Sequence, residues 1–410
     1  MLQLAPRVCW PLDTGAKLRN YHLGRVLSEH ARVSLLAFIH DGEPLEIPGN
    51  SYQQVRTVKR EPGYTFKKIL RGAVSRTPLP LLNYTTESMR RALEGTLAET
   101  DFDIVQVESI HLMGYLPIIR AARSQPLIIC DWHNIESELM GRYSEREGNI
   151  LRRAYARRTA RLMRNFEQRA LDEFDAHVTV SERDAERLLS LNSKARIFVI
   201  ENGVDAAHYS DEQLEHAYVA WRAQQAPSNS PIRNRILFVG SMDYHANIDG
   251  AVSFSREVWP HLCERKPDLT FTIVGRDPAP EVRALALIPG IEITGTVDDV
   301  RPYYREAIAA IVPLKVGGGS RLKILEAMAA GVPVVSTTLG AEGLEVTHDK
   351  NILIADTTEE MIEAIIKLIE KPEPREQLRE AGRSLISNRY DWSRVGESLF
   401  RCYAGLLAAG

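Results

Sequence analysis

Residues 312–336, VPLKVGGGSRLKILEAMAAGVPVVS, decide the fold prediction for this chain. The apolar run at the start predicts a buried strand, and the three glycines at 317–319 predict the loop that follows it. A predicted helix then runs over 320–330, with Gly331 just after its end and Pro333 beyond. A second β-branched run closes the stretch. Strand, loop, helix and strand in this order predict one unit of a parallel α/β sheet.

The same stretch carries the chemistry of an anion site. Glycines before a helix N-terminus let backbone N–H groups converge on an anion, and the helix dipole adds to the attraction. Arg321 and Lys323 follow at once, and cations at a helix start are expected where an anion neutralises them. Glu326, further along the helix, is placed to accept hydrogen bonds from a ribose diol. The prediction is a phosphate or diphosphate site, and the alternative is an exposed helix start after a flexible loop.

Short β-branched runs alternate with amphipathic stretches along the whole chain, which predicts parallel α/β sheets. The predicted strands are 2–5, 33–39, 103–107, 127–131, 176–180 and 197–200 in the first half, and 235–241, 269–275, 291–295, 308–314, 332–337 and 351–355 in the second. A long helix is predicted near 145–174. We predict two Rossmann-like domains, 1–205 and 235–390, that face each other across a cleft. The segment 206–234, where Pro, Ser and Asn collect, predicts the interdomain connection.

The last segment, 391–410, is predicted to be a helix. Its apolar residues recur at helical spacing and form one stripe: Trp392, Val395, Leu399, Tyr403 and Leu406. A stripe of this kind docks a terminal helix on a folded domain. We expect this helix to cross back to the first domain.

Composition narrows the function classes. The 410 residues include 51 Lys+Arg against 54 Asp+Glu, a formal charge of −3, which excludes a nucleic-acid binder that depends on bulk positive charge. The four cysteines lie far apart without metal-ligand spacing, which argues against disulfides and structural zinc. Neither a signal-peptide pattern nor an apolar run of about 18 residues is present, so we expect a cytoplasmic protein without a membrane span.

The run LKILEAMAAGVPVVST, residues 322–337, closely resembles the signature of the family four glycosyltransferases. These are retaining enzymes of the GT-B group, which have two Rossmann-like domains and use nucleotide-sugar donors. RILFVGSM, FTIVGRDP and IEITGTVDDVRPYY precede the signature in the family's order, and a tail like YDWSRV follows it. PLDTGAKLRNYHL, DWHNIES and VIENGVD resemble its first-half motifs. The resemblance spans essentially the whole chain and is closest to transferases of bacterial exopolysaccharide assembly.

The resemblance implies a donor site in the second half. Family members use one glutamate for the ribose hydroxyls, which matches Glu326, and an earlier glutamate whose place is taken here by Gly318. Many members also hold the diphosphate with Arg and Lys, where this chain has Ser241 and Asn247. Arg321 and Lys323 are the predicted replacements for those cations. The predicted donor-binding residues are Gly15, Gly240, Ser241, Arg276, Val297, Gly318, Gly319, Ser320, Arg321, Leu322, Lys323 and Glu326.

Three residues of the first half are further candidates. The matching histidine of the family contacts the donor sugar, so the resemblance makes His133 the predicted catalytic residue. Without the resemblance, a structural histidine is the simpler interpretation. Glu108, at the end of DIVQVE, is an acceptor-side candidate or a residue of the core rim. Asp13, in the loop before Gly15, is an acceptor-side candidate or a helix cap.

Together these features predict a retaining glycosyltransferase. It would move a sugar from a nucleotide-diphospho-sugar, UDP- or GDP-linked, to a hydroxyl of a glycan, a lipid-linked saccharide or a small molecule, without a metal or other cofactor. The alternatives are a catalytically inactive nucleotide-sugar-binding protein and a nucleotide-sugar epimerase of the same fold. Two basic segments, 56–76 and 152–169, are predicted either to touch anionic lipid at the inner face of a membrane or to be solvated surfaces.

Overall fold

A computed structural model of the protein describes residues 1–40, 42–43, 47, 52–61, 75, 77–146, 148–224, 234–316 and 321–409. These residues divide into two compact units. The first unit contains residues 1–202 and takes up the chain again from Ser393. The second unit begins at Gly203 and ends at Trp392.

In the described part of the first unit, seven parallel strands form one sheet in the order β3-β2-β1-β4-β5-β6-β7. They are β1 Leu2–Ala5, β2 Ser34–Ile39, β3 Gln54–Lys59, β4 Ile104–Glu108, β5 Leu127–Trp132, β6 Ala176–Thr179 and β7 Ile197–Val199. This Rossmann-like order starts in the middle of the sheet and moves outward on each side in turn. The sequence prediction omits β3 because this edge strand, QVRTVK, is polar and only partly buried.

Among the described residues of the first unit, the helices before its terminal segment are α1 Gly15–His30, α2 Leu79–Tyr84, α3 Glu87–Glu99, α4 Leu116–Arg120, α5 Glu136–Arg146, α6 Ile150–Glu173 and α7 Glu182–Leu189. Ile110–Tyr115 forms a short 3-10 helix. The predicted start of the long helix near 145 is wrong. Asn149 caps α6, because its Oδ1 accepts hydrogen bonds from the backbone N–H groups of Leu151 and Arg152. Such a cap begins a new helix, so α5 and α6 are separate.

The described part of the second unit has six parallel strands in the order β10-β9-β8-β11-β12-β13. They are β8 Arg235–Val239, β9 Thr270–Val274, β10 Ile291–Gly295, β11 Ala307–Val312, β12 Val334–Ser336 and β13 Leu353–Ile354. Each predicted strand of this half is present to within about two residues at either end. The apolar, β-branched runs therefore located this sheet well, since such residues pack on the buried faces of parallel strands.

The helices of the second unit are α8 Asp211–Gln224, α9 His245–Glu257, α10 Trp259–Arg265, α11 Pro280–Arg283, α12 Arg301–Glu306, α13 Leu322–Ala329, α14 Thr358–Glu370 and α15 Pro372–Leu385. Helix α8 lies inside the segment that the sequence predicts as a connection. It packs on α12 through the Trp221 and Tyr303 rings, whose centroids are 5.6 Å apart. An ion pair of 3.0 Å between Arg305 and Glu215 adds to this contact.

The helix of the signature, α13, ends as predicted. Gly331 follows it with a φ of +71°, the left-handed conformation that glycine adopts without strain. Its start differs from the prediction, because the backbone of Arg321 is not helical and the first helical residue is Leu322. Residues 317–320, with the predicted site residues Gly318, Gly319 and Ser320, lie outside the described residues.

The terminal helix, α16 Trp392–Ala409, belongs to the first unit from Ser393 onward. The five residues of its predicted stripe are at most 6% exposed. Gly396 brings α16 close to α1, since a Cβ at this glycine would lie 2.5 Å from the Val26 Cβ. The predicted return of this helix to the first domain is confirmed. Among the described residues, no helix has the length and apolar composition that crossing a membrane requires.

A buried ion pair ties α1 to the middle of the first sheet. Arg19 donates from Nε and Nη2 to the two carboxylate oxygens of Asp131, at 2.9 and 3.1 Å. Both side chains are 1% exposed. Arg19 Nη1 also donates to the Glu201 carbonyl at 2.9 Å and to Asn202 Oδ1 at 3.3 Å. The guanidinium therefore connects α1 to β5 and to residues 201 and 202. These hydrogen bonds and the carboxylate compensate the buried charge for its lost solvent.

This pair gives a stability prediction. Arg19→Met should lower the free energy of unfolding by about 3–5 kcal/mol, because it leaves the Asp131 carboxylate buried without a counter-charge. Asp131→Asn should have a similar effect for the converse reason. The double variant should lose clearly less than the sum of the two single losses, because neither charge remains. Urea unfolding followed by circular dichroism measures all four proteins.

The matched control is the exposed pair Arg123–Asp101, 2.8 Å apart, with side chains 84% and 55% exposed. Removing either partner should change the free energy of unfolding by about 1 kcal/mol or less. Losses that simply add in the buried cycle would contradict the interpretation of Arg19 and Asp131 as one unit.

Candidate functional site

Two neighbouring strands of the second unit bring polar side chains together where they end. Gly240 and Ser241 follow β8, and Arg276 follows β9. Arg276 Nε donates to Ser241 Oγ at 3.0 Å, and Ser241 Oγ donates to Asp243 Oδ1 at 2.6 Å. The carboxyl ends of parallel strands are where open α/β sheets bind ligands. A guanidinium therefore lies against Ser241, one of the two positions where the sequence shows no cation.

An ammonium lies at the other position. Lys323 Nζ donates to Asn247 Oδ1 at 2.5 Å, and Asn247 Nδ2 donates to the Ser241 carbonyl at 2.8 Å. Lys323 Nζ is also 4.8 Å from the centroid of the Phe238 ring. Gly240 leaves the necessary space, since a Cβ there would lie 3.0 Å from Lys323 Nζ and 2.7 Å from Asn247 Nδ2. We call four of these residues the cation cluster: Ser241, Asn247, Arg276 and Lys323.

The positive charge of Lys323 is held against an electrostatic penalty. Burial and the charge of Arg321 together lower the pKa of Lys323 to about 7, against the opposing effect of Glu326. The ammonium is therefore less favoured near neutral pH than that of an exposed lysine. An anion beside it would restore the charge, and groups shifted in this way are frequent at binding sites.

Arg321 stands at the cap position of α13, so the expectation that it lies in the first helical turn is wrong. Its Nη2 donates to the Leu339 carbonyl at 2.8 Å and lies 3.7 Å from Glu342 Oε2. The side chain is 5% exposed. These contacts tie the start of α13 to the loop after β12. Its predicted contact with phosphate stays a prediction.

Glu326 lies on α13 one turn beyond Leu322. Tyr304 Oη donates to Glu326 Oε2 at 3.4 Å. Burial raises the pKa of Glu326, while the Tyr304 hydroxyl and the Lys323 charge oppose the rise. A carboxylate offers about four acceptor positions, so it can hold this hydroxyl and a diol together.

The other predicted donor residues of the second unit have mainly apolar surroundings. Leu322 and Val297 are partly buried and pack against the hydrophobic core of this unit. Their side chains therefore support the fold. Their donor contacts, like those of the undescribed residues Gly318, Gly319 and Ser320, stay predictions.

In the first unit, the loop before α1 is built as a helix cap. Thr14 Oγ1 accepts from the backbone N–H of Lys17 at 3.4 Å, and Gly15 is the first residue of the helix. Asp13 pairs with Lys17 Nζ at 3.2 Å, and Glu43 pairs with the same ammonium at 3.0 Å. The structure thus shows the capping function of this loop. Roles for Asp13 and Gly15 toward substrates stay predictions.

His133 follows β5 directly and meets Glu108 at the end of β4. His133 Nε2 and Glu108 Oε2 are hydrogen-bonded at 2.9 Å, and the side chains are 14% and 1% exposed. Burial alone lowers the pKa of His133, but the hydrogen bond to Glu108 and the charges of Asp131 and Glu108 outweigh it, so its pKa is raised. Burial raises the pKa of Glu108, against the opposing effect of His133. The hydrogen bond to Glu108 thus favours the protonated form of the imidazole.

Asp131 and Arg19 complete this group, which we call the histidine cluster: Arg19, Glu108, Asp131 and His133. Ligand atoms of Glu108, Asp131 and His133 lie within 4.8 Å of one another, which is a spacing suited to a metal ion. Arg19, however, already donates to both oxygens of Asp131. A metal ion would meet the guanidinium there, so these residues do not fit one.

The predicted site did not include Arg19, Asp131 and Gln106. Gln106 Nε2 donates to Glu108 Oε1 at 2.6 Å. Gln106 and Glu108 alternate with apolar residues along β4, so both side chains lie on one face of the strand. All five residues of this strand are buried. Two polar residues on a buried face need partners, so this alternation was a usable signal. Arg19 and Asp131 are 112 residues apart and left no such signal.

Two family models match the chain. The model described as Glycosyltransferase Family 4 matches residues 14–208. The model described as Glycosyl transferases group 1 matches residues 233–371. The first match lies almost wholly in the first unit, and the second match lies in the second unit.

The chain is similar to curated proteins over about half of the length of each of them. Phosphatidyl-myo-inositol mannosyltransferase of Mycobacterium leprae is 31% identical over 186 residues, which are 43% of this chain and 47% of that protein. An uncharacterized 44.6 kDa protein in the cps region of Klebsiella pneumoniae is 26% identical over 174 residues, 40% of this chain and 45% of that protein. The chain thus spans about half the length of the curated relatives it matches.

Solved structures resemble the chain over its full length. Sucrose-phosphate synthase from Thermosynechococcus elongatus matches with a TM-score of 0.72 at 17% identity, covering 100% of both chains. WaaG, a glycosyltransferase involved in lipopolysaccharide biosynthesis, matches at 0.66 and 13%, and Anabaena HepE in complex with UDP-glucose at 0.63 and 13%, each covering 98% of this chain and 99% of the other. The predicted GT-B fold is confirmed. With its two halves matched by glycosyltransferase models, the chain belongs to the family 4 glycosyltransferases.

Proposed function

We propose that the protein transfers a sugar from a nucleotide-diphospho-sugar to a hydroxyl acceptor, with retention of configuration and without a metal ion. The observation that carries the proposal is the cation cluster at the ends of β8 and β9. Family membership supplies the class of reaction, and HepE is a protein of the same fold solved with UDP-glucose. UDP- and GDP-linked sugars are therefore the donors to test first.

We assign the diphosphate to Arg276 and Lys323. The planar guanidinium suits bidentate contact with phosphate oxygens, and the ammonium adds a point charge. The family resemblance placed the missing cations at Ser241 and Asn247. Arg276 and Lys323 reach those two residues from other elements, at 3.0 and 2.5 Å. The charge that a diphosphate needs is thus present at the expected place, on other residues.

The remaining roles follow the chemistry of the side chains. Glu326 accepts hydrogen bonds from the ribose hydroxyls, and His133 contacts the donor sugar. The bond between the anomeric carbon and the diphosphate oxygen breaks, the acceptor oxygen bonds to that carbon on the same face, and the leaving diphosphate takes the acceptor proton. Two protein cations stabilise the diphosphate, so the step needs no metal ion.

A catalytically inactive nucleotide-sugar-binding protein is the second candidate, because Gly318 replaces a glutamate that usually touches the donor sugar. Incubation with UDP- and GDP-sugars in the presence of EDTA separates the candidates. Release of nucleoside diphosphate supports the transferase, and the anomeric configuration of its product tests retention. Binding without release supports the inactive protein, and interconversion of the sugar supports the epimerase.

Donor binding should take up a proton near neutral pH. Lys323 has a pKa of about 7 in the free protein, and a bound diphosphate favours its ammonium form and raises that pKa. Affinity should therefore be full below pH 7 and weaken as the pH rises above it. Calorimetry of UDP-glucose and GDP-mannose in two buffers of different ionisation enthalpy measures the uptake, because an esterified diphosphate does not titrate in this range.

Variants of single cations sharpen this test. Lys323→Met should abolish the proton uptake and raise the dissociation constant about ten- to a hundredfold, and Arg276→Met should weaken binding similarly while keeping the uptake. Lys315→Met, which removes an exposed ammonium paired with Glu257, is the matched control. A loss in Arg321→Met as large as that in Lys323→Met would return Arg321 to the phosphate site. Undiminished uptake in Lys323→Met would contradict our assignment.

The ribose assignment makes a separate prediction. Glu326→Gln should raise the dissociation constant of the nucleotide sugar about ten- to a hundredfold, because charged hydrogen bonds to the diol are worth about 1.5–3 kcal/mol. A donor whose ribose lacks both hydroxyls should bind this variant and the parent equally. Tyr304→Phe is the control, because it removes the hydroxyl that donates a hydrogen bond to Glu326 and leaves the carboxylate in place. An equal loss for both donors would show that Glu326 does not touch the ribose.

We further propose that α6 rests on an anionic lipid surface, where a lipid-linked acceptor would be available. Its buried residues share one face, and at 100° per residue an exposed side of the helix, about 60° wide, carries Ile150, Arg157, Arg161 and Arg164. Ile150 and Leu151, at the start of α6, are 77% and 81% exposed. Exposed apolar side chains beside outward arginines are typical of helices that lie on anionic membranes.

The other basic segment, 56–76, is described only in part. Residues 62–74 and 76 lie outside the described residues. Within the described part, Arg56 pairs with Glu99, and the Arg60 guanidinium lies 4.4 Å from the centroid of the Tyr84 ring. These two side chains therefore have partners in the first unit, and we assign the lipid contact to α6 alone.

Vesicle sedimentation tests this contact. The parent should bind vesicles with 30–40% phosphatidylglycerol and not pure phosphatidylcholine, as about 1 kcal/mol per surface arginine implies. Ile150→Ser/Leu151→Ser and Arg157→Gln/Arg161→Gln/Arg164→Gln should each lower binding at least about tenfold. The control Arg91→Gln/Arg222→Gln/Arg256→Gln removes equal charge from exposed positions elsewhere and should bind nearly as the parent does. Equal losses in both triple variants would show that vesicle binding depends on net charge and not on the arginines of α6.

A further inference from the structure

The histidine cluster continues into the terminal helix through two more side chains. Tyr403 Oη, on α16, donates to Gln106 Oε1 at 2.7 Å, and Gln106 Nε2 donates to Glu108 Oε1 at 2.6 Å. Glu108 Oε2 is hydrogen-bonded to His133 Nε2 at 2.9 Å. Tyr403, Gln106 and Glu108 are at most 3% exposed. One buried chain of hydrogen bonds thus runs from α16 through β4 to the histidine.

The direction of this chain is set at Tyr403. Burial raises the pKa of Tyr403 well above its ordinary value, so the phenol keeps its proton and can donate it. A phenol that donates to Gln106 Oε1 turns the amide NH2 group toward Glu108. The opposite orientation of the amide would place its oxygen against a carboxylate oxygen, where two acceptors repel each other.

Donors therefore hold both oxygens of Glu108. Gln106 holds Oε1, and His133 holds Oε2. In the amide orientation that satisfies both of its atoms, Asn20 Nδ2 also donates to Glu108 Oε2, at 3.1 Å. Hydrogen bonds to a carboxylate favour its ionised form, and an ionised Glu108 in turn favours the protonated imidazole.

We propose that Tyr403 and Gln106 are positioning residues for His133, which they keep protonated and fixed in orientation through Glu108. The charge state of His133 is a property of the free protein, whereas its kinetic consequence rests on the proposed function. An imidazolium can donate a hydrogen bond to a sugar or phosphate oxygen, and it holds this capacity only while Glu108 is ionised. The terminal helix thus controls a predicted catalytic group as well as packing on the first unit.

The other charged and titratable groups around His133 do not replace Glu108 in this role. Asp131 also raises the pKa of His133, but it is paired with Arg19, whose charge opposes this effect, and its two oxygens accept from that guanidinium. Burial, with a contribution from the His133 charge, lowers the pKa of His111 to about 4, so this neighbour is neutral. Burial and the charge of Glu167 raise the pKa of Glu136 to about 7, so it is only partly ionised at neutral pH. Glu108 is left as the carboxylate in hydrogen-bond contact with His133.

The test measures the pKa of His133 by NMR in the full chain with labelled histidines. His133→Gln identifies the signal by its loss. Tyr403→Phe, which removes one oxygen atom, should lower the pKa by about half a unit, and Gln106→Met, which preserves shape, by about one unit. Glu108→Gln should lower it most. The matched control is Tyr115→Phe, because Tyr115 is a buried phenol of the same unit that donates to the Tyr84 carbonyl at 2.6 Å instead.

A graded fall in the order Tyr403→Phe, Gln106→Met, Glu108→Gln, with no change in Tyr115→Phe, supports the proposal. An unchanged His133 pKa in folded Gln106→Met would overturn it, even where Tyr403→Phe fails to fold. The basic limb of the pH profile for sugar transfer should move by the same amount, with the KM for the donor unchanged. A shifted pKa with an unmoved profile would support the hydrogen-bonded chain and reject His133 as a group used in transfer.

Discussion

The first unit depends on the buried pair of Arg19 and Asp131. Two hydrogen bonds join their charges, and the remaining donors of the guanidinium reach residues 201 and 202, so one side chain fixes α1, β5 and the end of the unit. Asp131 also stands opposite Glu108 in the register of β4 and β5 and two residues before His133 in the sequence. The charge of Asp131, which Arg19 opposes, and that of Glu108 both raise the pKa of His133, and Glu108 is the carboxylate hydrogen-bonded to it. The interaction that holds the fold therefore also sets the electrostatics of the histidine.

The buried cation of the second unit, Lys323, has a different kind of hydrogen-bond partner. The hydrogen-bond partner of Lys323 is an amide, Asn247, and not a carboxylate. Burial then disfavours the ammonium, as its lowered pKa of about 7 shows. Such a site is poised for an anion, because an incoming negative charge relieves a penalty that is already present in the folded protein. The first unit thus neutralises its buried charge internally, whereas in the second unit our proposal assigns this role to a bound anion.

How far the sequence could be interpreted depended on the range of each signal. Local patterns located the six strands of the second unit, the glycine that ends α13 and the apolar stripe of α16, because periodicity and end signals act within a few residues. The break before α6 was also a local signal, Gly148 followed by Asn149, and it was missed. Contacts such as Arg276 with Ser241 and Tyr403 with Gln106 join residues 35 and 297 positions apart. Only the order of strands in each sheet and the return of α16 bring those side chains together, and no local pattern encodes them.

The assignment of the diphosphate to Arg276 and Lys323, in place of cations at positions 241 and 247, has a structural consequence. Lys323 and Glu326 lie on the same helix, so the groups assigned to phosphate and to ribose are held by one rigid element. A shift of α13 would therefore change both contacts together. Lys323 reaches Asn247 across Gly240, where a Cβ would lie 3.0 Å from its ammonium. A side chain at that position would crowd both the ammonium and the Asn247 amide, which a Cβ would meet at 2.7 Å, so the glycine favours this arrangement.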